Sequence, residues 1–376
     1  MAGIYIHIPF CKTKCHYCDF YKTTDFGAKT DFVSALNQEI EWRKNELQQE
    51  EIASIYFGGG TPSVLKIEEI SSILHHLSNC FSVADDVEIT LEANPDDLIP
   101  EFLEGIKNTP VNRLSIGTQS FHDADLKSMN RRHNSQQALA SIQAARDAGI
   151  QNISIDLIYG LPNQTLADWK DNVLKAVALD VQHISAYHLT YHEGTVFYEY
   201  LKKGKIKELP DELSFDQFKL LLSELKKAGF EQYEISNFAR NQRYSRHNKA
   251  YWERKKYLGF GPSAHSFDHQ SRRWNVSSLR KYLQAIDEKG PFWETEVLSP
   301  QDQYNDYMIT SLRTKWGISL NYLQTNFASK YVSHFQHEAE KYLESKHLYL
   351  EDGIYRLSDE GLFISDKIME ELFYME

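Results

Sequence analysis

The sequence predicts an α/β fold: a partial (βα)6 barrel followed by a small C-terminal α+β domain of winged-helix-like shape. Three observations predict it. Short apolar runs rich in Ile and Val alternate with helical patterns from residue 3 to about 190. The unusual polar residues all follow those runs, and the periodicity changes after about residue 210.

The six runs lie at 4–8, 55–57, 87–91, 114–116, 153–158 and 184–187. They are too short for helices and fit buried parallel strands. Between them, Phe32, Leu36 and Ile40 fall four apart, as one helical face requires. Ser135 can cap a helix carrying Leu139, Ile142 and Ala145, which Gly149 closes. Six such repeats give right-handed crossovers and a curved, incomplete barrel. Residues 1–210 form this barrel, and 211–299 form a linking region. In the linking region Ser214 can cap a helix over 215–225. Residues 300–376 form the small domain. There a helix with Phe335, Ala339 and Leu343 leads to strands at 348–351 and 354–357, joined by Asp352-Gly353. Ser358 can cap a last helix with Ile364, Ile368 and Leu372.

In a β/α barrel the carboxyl ends of the strands build the active face. Here those ends carry a cysteine loop, Gly58-Gly59-Gly60-Thr61-Pro62, Glu92-Ala93-Asn94-Pro95, Gly117-Thr118-Gln119-Ser120, Asp156 with Tyr159-Gly160-Leu161-Pro162, and His188 with Thr190. A purely structural role would scatter such residues over both ends.

Composition narrows the classes of function. The 376 residues carry a net charge of −12 without a long Lys/Arg stripe, so nucleic acid is excluded as a partner. Residues 331–376 alone hold 11 acidic against 4 basic side chains, which sets the winged-helix shape against DNA binding as well. No apolar run approaches the ~20 residues of a transmembrane helix, and the first residues lack a signal peptide's pattern. A cytoplasmic protein with reduced thiols is expected.

Three of the four cysteines stand in eight residues, as Cys11-x3-Cys15-x2-Cys18. In a reducing compartment this reads as metal binding before disulfide. Three thiolates can hold three corners of a [4Fe–4S] cubane and leave the fourth iron open. Structural zinc is the plainer alternative, with His7 or His16 as a fourth ligand. Zinc ligands usually come as two separated couples, so the spacing favours the cluster. Cys80 lies away from every motif and reads as packing.

The Cys-x3-Cys-x2-Cys loop after a first barrel strand resembles the radical S-adenosylmethionine superfamily over residues 3 to about 190. The resemblance implies S-adenosylmethionine chelated to the open iron through its amino and carboxylate groups. It also implies that one electron from the reduced cluster can cleave the sulfonium bond. Read against that ligand, Gly58 to Gly60 leave backbone groups open to the methionine moiety, and Glu92 suits ribose hydroxyls or an ammonium. Gln119, Arg131 and Asp156 suit an adenosyl group, a carboxylate and a cation respectively.

Within the superfamily the chain is similar to the oxygen-independent coproporphyrinogen III oxidases and their relatives. The matching segments are Tyr5-Ile-His7-Ile-Pro9-Phe10-Cys11, Phe57-Gly-Gly-Gly-Thr-Pro62, Glu92-Ala-Asn-Pro95, Arg113 to Phe121, Asp156 to Thr165 and Gly259 to Ala264. This likeness implies S-adenosylmethionine contacts at Tyr5, Tyr17, Gly59, Gly60, Thr61 and Glu92, and a second nucleotide site around Gln119, Arg131, Asp156 and Thr190. Two departures separate the chain from the oxidases. Phe20 stands where they carry a further cysteine, and the first strand starts at residue 3 where they have a long extension. Both point to a sister group of heme chaperones, whose HNK signature resembles Arg246-His247-Asn248-Lys249-Ala250-Tyr251-Trp252. Membership would imply heme as a bound partner and heme-accepting proteins, such as respiratory cytochromes, as recipients. It implies no decarboxylation of porphyrinogen, so no residue is singled out as catalytic; the alternative reading is an oxygen-independent coproporphyrinogen III oxidase that abstracts hydrogen from two propionate side chains. A chaperone of this kind can visit membrane-bound acceptors without an anchor.

Imidazole is a common axial ligand of heme iron, and propionates attract Arg or Lys. His247, among Arg240, Arg243, Arg246 and Lys249, is the first candidate ligand, with Tyr244, Tyr251 and Trp252 offering flat faces. His265 is the second. The plain alternative for His247 is a half-exposed histidine in a basic loop.

Overall fold

The computed structural model describes residues 1–48 and 50–375. The six expected strands are present in chain order and parallel: β1 (Ala2–Ile8), β2 (Ile52–Gly59), β3 (Val83–Ala93), β4 (Arg113–Gln119), β5 (Asn152–Tyr159) and β6 (His183–His188). Their side chains alternate. Ile4, Ile6, Ile8, Phe57, Leu91, Leu114, Ile116, Ile153, Ile155 and Ile184 are sealed beneath the outer helices. The residues between them are polar or aromatic: Tyr5, Ser54, Tyr56, Glu92, Arg113, Ser115, Asp156, His183 and Ser185. Successive side chains of a strand point to opposite faces, so these line the concave side. Registers such as Tyr5↔Tyr56↔Thr90 and Glu92↔Ser115↔Ser154↔His183 carry the polar rows from strand to strand. The core therefore sits in the wall between strands and helices, and the inside of the barrel is free for ligands.

Residues 211–299, expected as a linking region, extend this sheet at both edges. β9 (Tyr257–Phe260) runs parallel to β1, with β10 (His265–Phe267), β11 (Ser271–Asn275) and β12 (Trp293–Val297) antiparallel beyond it. β7 (Glu231–Glu234) and β8 (Asn237–Ala239) add to β6, so the order is β12-β11-β10-β9-β1-β2-β3-β4-β5-β6-β8-β7.

A buried ionic knot ties the first helix, Lys29–Trp42, to the β9–β11 extension. Arg43, just past the helix, donates to Glu39 at 2.9 Å, to the Gly259 carbonyl at 2.7 Å and to Ser266 at 3.0 Å. The Glu39 carboxylate also accepts from Gly261 N, Asn275 Nδ2 and Tyr282 Oη. Breaking one member of a buried pair strands the other charge. Arg43→Leu should therefore cost about 3–5 kcal/mol in a urea unfolding experiment. A loss within error would mean the knot is not maintained in solution.

Two sequence-based caps and the extent of one helix need correction. Asn134, not Ser135, caps the helix Ser135–Asp147, because its carboxamide accepts from Gln137 N; Leu139 on that helix faces solvent. The helix expected at 215–225 spans Asp211–Lys227, starting behind Pro210. Ser214 is buried within it, its hydroxyl 3.1 Å from His188 Nε2. Ser358 does cap, but the last helix breaks into Asp359–Phe363 and Ser365–Glu371.

The C-terminal domain has its own core, from Tyr304 through Phe335 to Leu372. Its sheet orders β13 (Ile318–Ser319), β15 (Ile354–Leu357) and β14 (Leu348–Glu351). Asp352 and Gly353 both take positive φ, 51° and 75°, the geometry of a tight two-residue hairpin turn. Among the described residues, no helix is long and apolar enough to cross a membrane.

Candidate functional site

The loop after β1 is pinned at its base by Cys11 N to Thr23 O (2.9 Å) and Thr23 N to Pro9 O (2.7 Å). It presents Cys11, Cys15 and Cys18, all unpaired thiols, to one cavity of about 420 Å³ at the carboxyl ends of the strands. Thr61 Oγ1 lies 3.3 Å from Cys11 Sγ, and Arg131 donates to Cys15 Sγ at 3.3 Å. Burial pushes the Cys11 thiol up to about 11 and raises that of Cys18, so both are protonated at neutral pH. A bound metal would deprotonate them outright. Neither histidine weighed as a zinc ligand turns to the cysteines. His7 contacts Tyr5 Oη at 3.2 Å and the Tyr21 carbonyl at 2.9 Å through its two ring nitrogens, and His16 Nδ1 lies 2.7 Å from the Ser128 carbonyl. Three thiols lining one cavity, with neither of those histidines directed at them, fit a cluster with one open iron.

The same cavity receives Tyr17, Gly59, Gly60, Thr61, Glu92, Gln119, Arg131, Asp156 and Thr190. Burial raises the Glu92 carboxyl to about 7, with Asp156 repelling it further, although Tyr56 Oη donates to it at 2.8 Å. Burial likewise lifts Asp156 to about 6, against a donor hydrogen bond from Ser115 at 3.3 Å. Two sequestered carboxylates facing one space favour a cationic occupant, and S-adenosylmethionine carries an ammonium and a sulfonium.

Arg131 spends its terminal nitrogens on the protein. Besides Cys15 it donates to Asn94 Oδ1 and the Gly117 carbonyl, both at 2.6 Å, while its Nε is buried without a partner among the described residues. Gln119, at the end of β4, holds φ at 67°, a strained value for a non-glycine residue of the kind found at ligand sites. Two glycines of the β2 turn are dictated by close packing as much as by a ligand. A Cβ on Gly60 would meet the Ile8 carbonyl at 2.7 Å, and one on Gly59, at φ 101°, the His7 ring at 2.6 Å.

One expected contact of the nucleotide, Tyr5, lies elsewhere, beside the candidate heme ligand. Tyr5 and His247 line a second cavity of about 820 Å³, which shares Gly59, Glu92, Phe20 and Tyr187 with the first. The reason is register: on β1, Tyr5 stands one inward position below His7 and stacks beside Tyr56 (6.2 Å between centroids). His247 covers both rings, at 6.2 and 5.1 Å, with its Nδ1 3.2 Å from Ser54 Oγ. Burial lowers His247 and His7 to about 4 and lowers His265, also in this cavity, so three neutral imidazoles face one space.

The basic neighbours expected around His247 are turned away. The helix Arg246–Trp252 divides them: His247, Asn248, Tyr251 and Trp252 face the cavity, whereas Arg246 and Lys249, with Arg243, line a groove at the opposite ends of the strands. Arg246 pairs with Asp86, Lys249 with Glu253 and Arg240 with Asp180. Sequence reasoning missed Tyr56, although the period-two pattern Ser54-Tyr56-Gly58 signals an inward row. It also missed Arg254, Arg272 and Arg313, the arginines that do line the cavity and that no local motif announces.

The radical SAM superfamily model matches residues 5–176, and the HemN C-terminal domain model matches residues 298–364. Among solved structures, Escherichia coli coproporphyrinogen III oxidase (HemN) superposes with a TM-score of 0.85 at 23% identity, over 99% of this chain and 90% of that one; this likeness concerns the fold. The heme chaperone HemW of Bacillus subtilis is 37% identical over 88% of this chain and 87% of its own length. That of Lactococcus lactis is 32% identical over 98% and 96%. The mitochondrial radical S-adenosyl methionine domain-containing protein 1 of Danio rerio is 35% identical over 70% of this chain and 60% of its own length. Such identity across nearly the whole length, barrel and C-terminal domain together, means that this chain belongs to the heme chaperone HemW family of the radical SAM superfamily.

Proposed function

We propose that this chain is a heme chaperone that holds a [4Fe–4S] cluster with S-adenosylmethionine in the smaller cavity, binds heme in the larger one, and passes it to acceptor proteins. The observation that carries the reading is the pair of cavities meeting at Gly59 and Glu92. One is ringed by thiols and carboxylates, and the other by tyrosines and neutral imidazoles. The second volume, about 820 Å³, falls in the range of about 300–1,000 Å³ typical of small-molecule sites.

When bound, the cluster supplies one-electron reducing power at an iron with an open coordination position. Cys11, Cys15 and Cys18 anchor it, and Arg131 orients Cys15. Tyr17, Gly59, Gly60, Thr61 and Glu92 enclose the methionine end of the nucleotide; Gln119, Asp156 and Thr190 take an adenosyl group or a second nucleotide. Phe20, 63% exposed at the junction of the cavities, supplies an apolar surface and no thiol where the oxidases carry cysteine. The protein should therefore yield no vinyl-bearing product when incubated anaerobically with coproporphyrinogen III, a reductant and S-adenosylmethionine. Formation of that product would replace this reading with an oxidase.

His247 is the axial ligand of this reading. Its Nε2 has no hydrogen bond among the described residues, and an imidazole lowered to about 4 stays neutral at physiological pH. His247→Ala should weaken hemin binding about tenfold or more, by the ~1.4 kcal/mol that a tenfold change represents, with cluster iron and sulfide unchanged. His247 itself should add no pH dependence to wild-type hemin affinity from pH 6 to 8, because no proton competes for its ring there. Equal hemin affinities in the two proteins would remove His247 from the site.

A further inference from the structure

The larger cavity is lined by three arginines, and they differ in how their charge is used. Arg272 is saturated: it pairs with Asp306 and lies 3.6 Å from Glu296. Arg254 has no carboxylate partner among the described residues; its guanidinium lies 6.0 Å from the Phe267 ring, and its Nε is buried without a hydrogen bond. It also holds φ at 55°, the left-handed region that a long side chain seldom occupies. Arg313, from the C-terminal domain, lies over the Trp252 ring at 5.1 Å. Among the described residues its one ion pair, 3.4 Å to Asp366, goes to a carboxylate that is 91% exposed, and its Nε too is buried without a partner there.

A buried donor left without a partner is costly, so two unpartnered Nε groups beside one cavity call for an acceptor. A planar guanidinium matches a carboxylate fork for fork. Trp252 and Tyr251 offer aromatic surface beside them, and His247 lies on the same helix. Arg254 without a carboxylate partner among the described residues, Arg313 held only by an exposed one, an aromatic face and an imidazole thus face one space, an arrangement complementary to a flat dicarboxylate that carries a metal.

We propose that Arg254 and Arg313 clamp the two propionates of the bound heme, with the macrocycle against Tyr251 and Trp252 and the iron toward His247. This rests on the heme reading above and replaces the Arg240–Lys249 cluster as the propionate partner. It also makes the C-terminal domain a working wall of the site, since Arg313 comes from that domain and Arg254 from the barrel extension.

The test compares hemin with its dimethyl ester, which keeps the macrocycle and iron but lacks both carboxylates. Soret titrations of the cluster-loaded protein should show wild type preferring hemin by about tenfold or more, an energy of about 1.4 kcal/mol. Arg254→Gln should lose most of one arginine's share, and the double variant with Arg313→Gln should bind hemin and ester equally, with ester affinity unchanged from wild type. Arg254→Gln breaks no ion pair, so it keeps the test sound if loss of the Arg313–Trp252 contact loosens the domain interface. Retention of the wild-type preference in Arg254→Gln and in the double variant would overturn the clamp while leaving heme binding intact. Failure of wild type to bind either compound would instead remove the heme reading, and the clamp with it.

Discussion

Cys15→Ser is expected to yield a folded protein without a cubane: colourless after anaerobic reconstitution, with iron and sulfide at background. Two remaining thiolates cannot anchor a cluster whose fourth corner is already open. Serine cannot take over, because its hydroxyl is neither a soft donor nor deprotonated at neutral pH. The fold should tolerate the change. Cys15 lies in a loop and is half-buried, and among the described residues its one side-chain hydrogen bond is the donation from Arg131 at 3.3 Å, so thermal stability should move by no more than about 0.5 kcal/mol. S-adenosylmethionine binding should disappear with the open iron. Hemin affinity should not change, since none of the three cysteines lines the larger cavity. A variant retaining near-wild-type iron and sulfide would show that the cluster is held by another donor set.

Glu92→Gln should have two large effects of opposite sign. Removing the negative charge takes away the acceptor for the ligand's cationic end. Truncating one partner of a buried charged pair costs about 2–5 kcal/mol, so S-adenosylmethionine affinity should fall at least about thirtyfold by calorimetric titration. The ligand-free protein, by contrast, should gain stability. Burial holds this carboxyl at about 7 against the ordinary 4.5, so the native state keeps a proton that the unfolded chain has already released. Native stability therefore declines as pH rises from about 4.5 to about 7 and stays lowered above that. Glutamine has no proton to lose, and should raise unfolding free energy at pH 8 by up to about 3 kcal/mol, a margin that shrinks toward pH 5. A variant that binds the nucleotide normally, or that melts earlier at pH 8, would show that the carboxylate is neither buried nor paired as described.

Much of this was legible in the chain itself. The six strands were found by their apolar runs, although 55–57 and 114–116 mark only the middles of β2 and β4. Their ends were hidden because the inward residues are polar: Ser54, Arg113 and Gln119 break the apolar signal while the backbone stays in the sheet. Twelve of the expected site residues gather in one cavity because parallel strands deliver all their carboxyl ends to one side. Tyr5 is expected beside them and faces the second space instead, next to His247, the candidate heme ligand. Motifs report sequence neighbours, whereas the inward row and the helix face decide which cavity a side chain enters. For the same reason the basic run from Arg240 to Lys249 reads as one patch, yet a single helix turns its charges and its rings to opposite sides. Arg313 was out of reach altogether, because its place depends on how a separate domain docks.

The alternation of greasy exterior and wettable interior along β1 to β6 has an evolutionary corollary. The hydrophobic core lies in the shell of the barrel, so the lumen carries less of the apolar packing. Replacements such as a serine for a tyrosine inside it can drift without unfolding the scaffold. One container can thereby be refitted, over many generations, for carrying a pigment or for transforming one.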